Sequence, residues 1–223
     1  MVKERKTKNK LNVFKVSYLA GMMFIVLSLI GAILSNLLSS DLAIASSWSL
    51  VQGILVLVFS LVFTFGFYAL GKKYNKTLPK VISILIIIFM LVSYFVGLFI
   101  VSPTSVDISN IVRDKATSLG LDLNNLGDSQ IQTLGSALLS EPGFMTLVLG
   151  LLGLLLLYLV VYGILSIFLG ISLIKLRKDV KYAKVAGILE IVGGATLIIL
   201  IGFIPLFIAL VYELIILFKE SKK

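Results

Sequence analysis

The sequence predicts an all-α fold: a polytopic transmembrane bundle of six helices, the last two a short hairpin, with a helical extracytoplasmic loop between helices three and four. Three observations carry this expectation. Of 223 residues, 59% are hydrophobic and 14% charged, against roughly 45–50% and 25% in an ordinary globular domain. The apolar residues run in unbroken blocks such as 81-VISILIIIFMLVSYFVGLFIV-101. A water-facing helix would show a polar face in every turn, and about 18 uninterrupted apolar residues suffice to cross a bilayer. Finally, Lys and Arg cluster in short segments between the blocks, the arrangement that orients membrane helices.

Residues 1–15 form a basic tail holding six Lys and Arg, expected on the cytoplasmic side. Residues 16–101 hold the first three spans, from about Val16 to Leu38, Leu50 to Leu70 and Val81 to Val101. An Ala43-Ile44-Ala45 pattern after the first span would suit a cleaved signal peptide. The apolar block of about 22 residues is longer than the roughly 7–15 of a signal core, so it is read as an uncleaved span. Trp48 opens the second span at the depth that indole rings favour. The turn 71-GKKYNKTLPK-80 carries four Lys and no acid. The fourth span runs from about Met145 to Ile174, followed by the basic turn 175-KLRKDVKYAK-184.

A single helix over 187–219 would be about 50 Å long at 1.5 Å per residue, against a hydrocarbon core of about 30 Å. Gly202-Phe203-Ile204-Pro205 lies at its centre, and proline removes a backbone donor where a helix would continue. Two short helices turning near Phe203–Pro205 are therefore expected, completing spans four to six in 145–219 with a short tail at 220–223. This even count leaves eighteen of the twenty basic residues on one side. An odd count would expose the C-terminal lysines on the other side, against the positive-inside tendency.

The loop 102–144 carries five acids and two bases. Val106, Ile108, Ile111, Val112, Ala116 and Leu119 make one helical stripe, with Ser105 or Asp107 as its cap. Ile131, Leu134 and Leu138 make a second, with Asp128 as its cap, and Pro142-Gly143 returns the chain to the membrane. Such a hairpin suits either the bilayer surface or docking of other membrane-protein subunits. Within it, 122-DLNNLGDSQIQT-133 matches a calcium loop at Asp122, Asn124 and Gly127. Leu126 and Thr133 stand where oxygen ligands are required, so no EF-hand is expected.

The chain has neither Cys nor His, which removes thiolate catalysis, Cys/His zinc sites and Ser-His-Asp chemistry. No catalytic, cofactor-binding or metal site is expected, and nucleic acid is not an expected partner, because the net charge of +9 resides in span-flanking turns. The lipid bilayer is the expected partner. Glu190 and Glu213 interrupt apolar runs, and intramembrane carboxylates mark candidate functional sites. With Gln52 and Asn36 they form the candidate intramembrane polar site. Thr64 and Thr196 are further polar neighbours to consider. The ordinary alternative places both glutamates near the interface, paired with Lys181, Lys184 or Lys219. Gly150, Gly153, Gly163, Gly170, Gly187, Gly193 and Gly194 suggest close helix packing, without a GxxxG motif. Segments 66–85 and 170–189 align without gaps at a fixed offset, matching Gly66 to Gly170 and Lys80 to Lys184, which suggests a parallel hairpin repeat.

The run 186-AGILEIVGGATLIILIGFIPLFIALVYELI-215, with its Ile199-Leu200-Ile201-Gly202-Phe203 turn, resembles the C-terminal hairpin of an uncharacterised archaeal integral membrane protein family, a domain of unknown function. The turn 70-LGKKYNKTL-78 loosely resembles that family's first cytoplasmic loop. The resemblance implies a six-helix archaeal cell-membrane protein and brings no activity; the long acidic outer loop departs from it. The expected function is a non-enzymatic structural or accessory component of a membrane assembly, with a small transporter or channel using the intramembrane Glu residues as the alternative.

Overall fold

The computed structural model describes residues 12–37, 42–123 and 125–223, with side chains omitted for 35–37 and 42–47. Among the described residues regular structure is entirely helical. The elements are α1 (Val13–Leu37), α2 (Leu42–Lys73), α3 (Thr77–Val96), α4 (Ser102–Ser118), α5 (Asp128–Leu139), α6 (Pro142–Lys175), α7 (Ala183–Thr196) and α8 (Phe203–Ser221). Four stretches among the described residues are long and apolar enough to cross a membrane: Val13–Leu34, Trp48–Lys73, Thr77–Ser118 and Pro142–Lys175. Large apolar side chains such as Leu29, Ile33, Leu155 and Leu157 are exposed along them. In water such surface costs about 25 cal/mol per Å²; against hydrocarbon it costs nothing.

The chain divides into two compact units, residues 1–91 with 162–223, and residues 92–161. In the first, α1 and α2 lie antiparallel. Ser17 abuts Gly66, Gly21 abuts Phe63, and the Gln52 side chain lies across Gly31. α8 packs against both helices: Leu214 meets Gly21, Leu217 meets Gly66, and Tyr18 contacts Phe218 with ring centroids 5.1 Å apart. Phe63, Phe67 and Leu70 of α2, Leu173 of α6, Leu176 just after it, and Ile216 and Leu217 of α8 form the core of this unit.

The basic turns gather at one end of this unit. Asn12 Nδ2 donates to the Ser221 carbonyl at 2.7 Å, joining the start of α1 to the end of α8. Glu220 accepts from Lys73 Nζ and from the Tyr74 hydroxyl at 2.7 Å each, and from Lys223. Burial opposes the charge of the Glu220 carboxyl, but hydrogen bonds from Lys223, Lys73 and Tyr74 outweigh it and hold that carboxyl below its usual value. Lys219 and Lys181 lie over the Tyr182 ring, 4.3 and 5.3 Å from its centroid.

Residues 187–219 form two helices, but they turn earlier than Phe203–Pro205. A 3-10 turn, Leu197–Ile199, follows α7, and Leu200 takes a left-handed conformation at φ 64°. Gly202 then crosses tightly against Gly193 and Leu197, where a Cβ would collide with backbone. Pro205 falls in the first turn of α8, where helix N–H groups lack partners and proline is tolerated. The proline starts a helix instead of ending one.

The second unit corrects the sequence reading at two places. The helix of the third apolar block does not stop at Val101: α3 passes through a π-helical turn, Gly97–Val101, directly into α4. Pro103 has no N–H to continue an α-helical ladder, and the wider turn just before it accommodates that loss. Neither Ser105 nor Asp107 is therefore a cap, since α4 has no free start. In α5 the capping residue is Gly127, whose N–H donates to Gln130 Oε1 at 2.9 Å, and Asp128 is the first helical residue. The two apolar stripes pack on each other through Ala116, Leu134 and Leu138, flanked by Ile111, Val112 and Leu126. Lys115 pairs with Glu141 at 3.3 Å. Val106, Leu119 and Ile131, expected on those stripes, are exposed.

Candidate functional site: a buried carboxyl pair framed by glycines

α6 and α7 are antiparallel neighbours across a short turn, and matched small residues let their backbones touch. A Cβ at Gly163 would lie 2.7 Å from the Gly194 carbonyl oxygen, and one at Gly187 would lie 2.5 Å from that of Gly170. Both helices carry the same spacing in opposite directions. α6 reads Gly163-x-x-Ser166-x-x-x-Gly170, and α7 reads Gly187-x-x-Glu190-x-x-x-Gly194. Three- and four-residue steps keep all three positions on one helix face. Close approach at each glycine pair brings the residues between them, Ser166 and Glu190, into direct contact.

Ser166 Oγ lies 2.9 Å from the Glu190 carbonyl oxygen and also reaches the Glu190 carboxyl oxygen Oε2. Ser166 and Glu190 are both buried. From the other side α8 supplies Glu213, also buried. Gly193 gives α8 room, because a Cβ there would lie 2.5 Å from Leu206. The two carboxyl groups are near enough to interact electrostatically. Ionised carboxylate oxygens only accept, so a hydrogen bond between two carboxyls requires one proton held between them. Glu213 Oε1 is buried with no hydrogen-bond partner.

The expected pairing of these glutamates with Lys181, Lys184 or Lys219 is replaced by this arrangement. The ion pairs among the described residues are Lys73–Glu220, Lys115–Glu141 and Lys223–Glu220. Lys181 and Lys219 instead face Tyr182. The physical reason is direction: on a helix, positions 190 and 213 face the neighbouring helices, where no long side chain can carry them back to the basic end.

The other sequence candidates lie elsewhere. Gln52 Nε2 donates to the Leu27 carbonyl at 3.4 Å, bridging α2 to α1. Asn36 stands near the end of α1 with its side chain outside the described residues. Thr64 contacts Met90 Sδ at 3.9 Å, and Thr196 bonds the Val192 carbonyl within its own helix. Ser166 was not a sequence candidate. Its signal is the glycine-framed spacing shared with Glu190, legible only once the two segments are set antiparallel.

The internal similarity does not extend to packing. Gly66 faces Ser17 and Leu217, whereas its counterpart Gly170 faces Gly187 and Glu190 in its own hairpin. Among the described residues no cluster of three or more potential metal-ligating side chains occurs. Comparison of the chain with protein-family models, with curated proteins and with solved structures finds no match.

Proposed function

We propose that the chain is a multi-pass integral membrane protein with six crossings, and that it works as a small proton-linked transporter or channel whose exchanging group is the Glu190–Glu213 pair. What supports this is the pair itself: two buried carboxyl groups on different helices, close enough to interact and without a basic partner among the described residues. Carboxyls placed this way at membrane depth are costly and mark proton relays. Ser166 orients Glu190 through its hydroxyl and acts as a positioning residue. In this reading the basic end faces the cytoplasm, the 102–144 segment lies outside, and the α7–α8 hairpin supplies the fifth and sixth crossings. The likeness of 186–215 to the archaeal hairpin family fits the same arrangement.

A second reading, the non-enzymatic accessory component, is favoured by the glycine contacts, which would make a shared proton a lock between α6, α7 and α8. Infrared spectroscopy of the full chain in lipid separates the two. A protonated-carboxyl band that is lost in Glu190→Gln and Glu213→Gln, shifts in D2O and titrates with bulk pH marks a pair in exchange with water. In vesicles the wild type then dissipates an imposed pH gradient faster than either variant. A band unmoved by D2O and pH, with wild-type and variant vesicles equally tight, leaves the structural lock.

A further inference from the structure

Beyond the carboxyl pair, the basic end carries a groove of about 390 Å³ lined by Asn75, Lys76, Thr77, Leu78, Val81 and Lys175. Its position follows from the two short turns. Asn75 adopts a left-handed conformation at φ 51°, a conformation asparagine tolerates. Lys76 N–H donates to the Gly71 carbonyl at 2.8 Å, which folds the turn back over the end of α2. α3 then begins at Thr77 and α6 ends at Lys175. The groove is thus lined by two cations, Lys76 and Lys175, by the start of α3, and by the apolar side chains of Leu78 and Val81.

Neither Lys76 nor Lys175 belongs to an ion pair among the described residues. The surrounding turns add Lys72, Lys80, Arg177, Lys178, Lys181 and Lys184. Among the described residues the acids of this end are few: Glu220 is already engaged by Lys73 and Lys223, leaving Asp179. The surplus positive charge calls for an anion. Val81 and Ile84, one turn apart and exposed on α3, extend the apolar lining along that helix.

We propose that this groove binds the headgroup of an anionic phospholipid, its phosphate between Lys76 and Lys175 and its acyl chain along Val81 and Ile84. The inference rests on the membrane-spanning reading and is independent of the carboxyl pair. A phosphate approaching the first turn of α3 meets the N–H groups of Thr77 and Leu78, which have no partner within the helix, Pro79 having none to offer, and the positive end of its dipole. The apolar lining selects a lipid over free phosphate, since inorganic phosphate gains nothing from Leu78 and Val81. Basic pockets between membrane helices on the cytoplasmic side recognise headgroups by the same combination.

The test uses the full chain purified in neutral detergent, with bound lipid counted by native mass spectrometry and thermal unfolding followed as lipid is added. Phosphatidylglycerol is compared with phosphatidylcholine of the same chains and with inorganic phosphate. Retention of phosphatidylglycerol is expected to fall by roughly tenfold or more in Lys76→Gln/Lys175→Gln, from the loss of two headgroup contacts. It is expected to hold in Lys72→Gln/Lys178→Gln, which removes equal charge elsewhere on the same end. Val81→Trp, which fills the groove without changing charge, should also lower retention. Equal loss in the two double-lysine variants would reduce the effect to diffuse charge attraction and overturn the proposal, as would stabilisation by inorganic phosphate alone. Release of the chain from membranes by alkaline carbonate would instead remove the membrane-spanning reading beneath it.

Discussion

Gly163 on α6 and Gly194 on α7 meet backbone to backbone: a Cβ on Gly163 would lie 2.7 Å from the Gly194 carbonyl oxygen, and one on Gly194 would lie 2.5 Å from that of Gly163. In lipid, helices gain little from apolar burial against each other, so close backbone contact carries much of their association. The contact also sets the distance across which Ser166 reaches Glu190.

Gly163→Ala should therefore destabilise the protein by about 1–3 kcal/mol, because the added methyl can only push the two backbones apart. Gly150→Ala and Gly153→Ala are the controls, since a Cβ at either position meets nothing within 4 Å. Alanine is the better helix former by about 1 kcal/mol, so these two should hold or raise stability. Thermal unfolding of the four proteins in detergent checks the contrast.

Ser166→Ala leaves the Glu190 carboxyl and carbonyl without the hydroxyl that both accept from. Removing a buried donor of this kind costs about 1–3 kcal/mol. Unfolding midpoints should fall accordingly. The protonated-carboxyl infrared band should also change position, which simple loss of packing would not produce.

Glu220 gives a pH dependence of known sign. Its folded carboxyl is held below the ordinary value by Lys223, Lys73 and Tyr74, against the opposing effect of burial. Stability from this group is fully present above the ordinary carboxyl pKa and is lost as pH falls through the depressed folded value. The difference in unfolding midpoint between wild type and Glu220→Gln should be largest near neutral pH and shrink in acid. A difference that grows on acidification would contradict the observed contacts.

Orientation can be read by labelling, because the chain has no native cysteine. With Ser129→Cys and Ser221→Cys made singly, an impermeant thiol reagent on intact cells should modify position 129 at once. Position 221 should react only after permeabilisation. Labelling of 221 from outside would invert or break the six-crossing arrangement.

Much of the fold was legible in sequence. The apolar blocks mark the long helices, the basic turns mark the end at which α1, α2, α6 and α8 meet, and the expected break inside 187–219 is present. Legibility failed at boundaries. Pro205 reads as a break, yet it lies in the first turn of α8, because proline disrupts a helix only where its missing N–H is needed. Among the glycines, composition grouped Gly150 with Gly163, although the first faces open space and the second a neighbouring backbone.

The candidate site divides the same way. That Glu190 and Glu213 are unusual follows from sequence alone, since a carboxyl in an apolar run is costly wherever it lies. Whether each turns toward the basic end or toward the other depends on how three helices are set side by side. That setting comes from contacts between residues distant in the chain, Gly163 with Gly194, Gly170 with Gly187 and Gly193 with Leu206. The one-dimensional pattern of hydrophobicity determined which segments become helices and which ends carry charge, because both depend on local composition. Only the tertiary structure decided that two carboxyls and a serine meet, because that depends on the register of backbones close enough to exclude a methyl group.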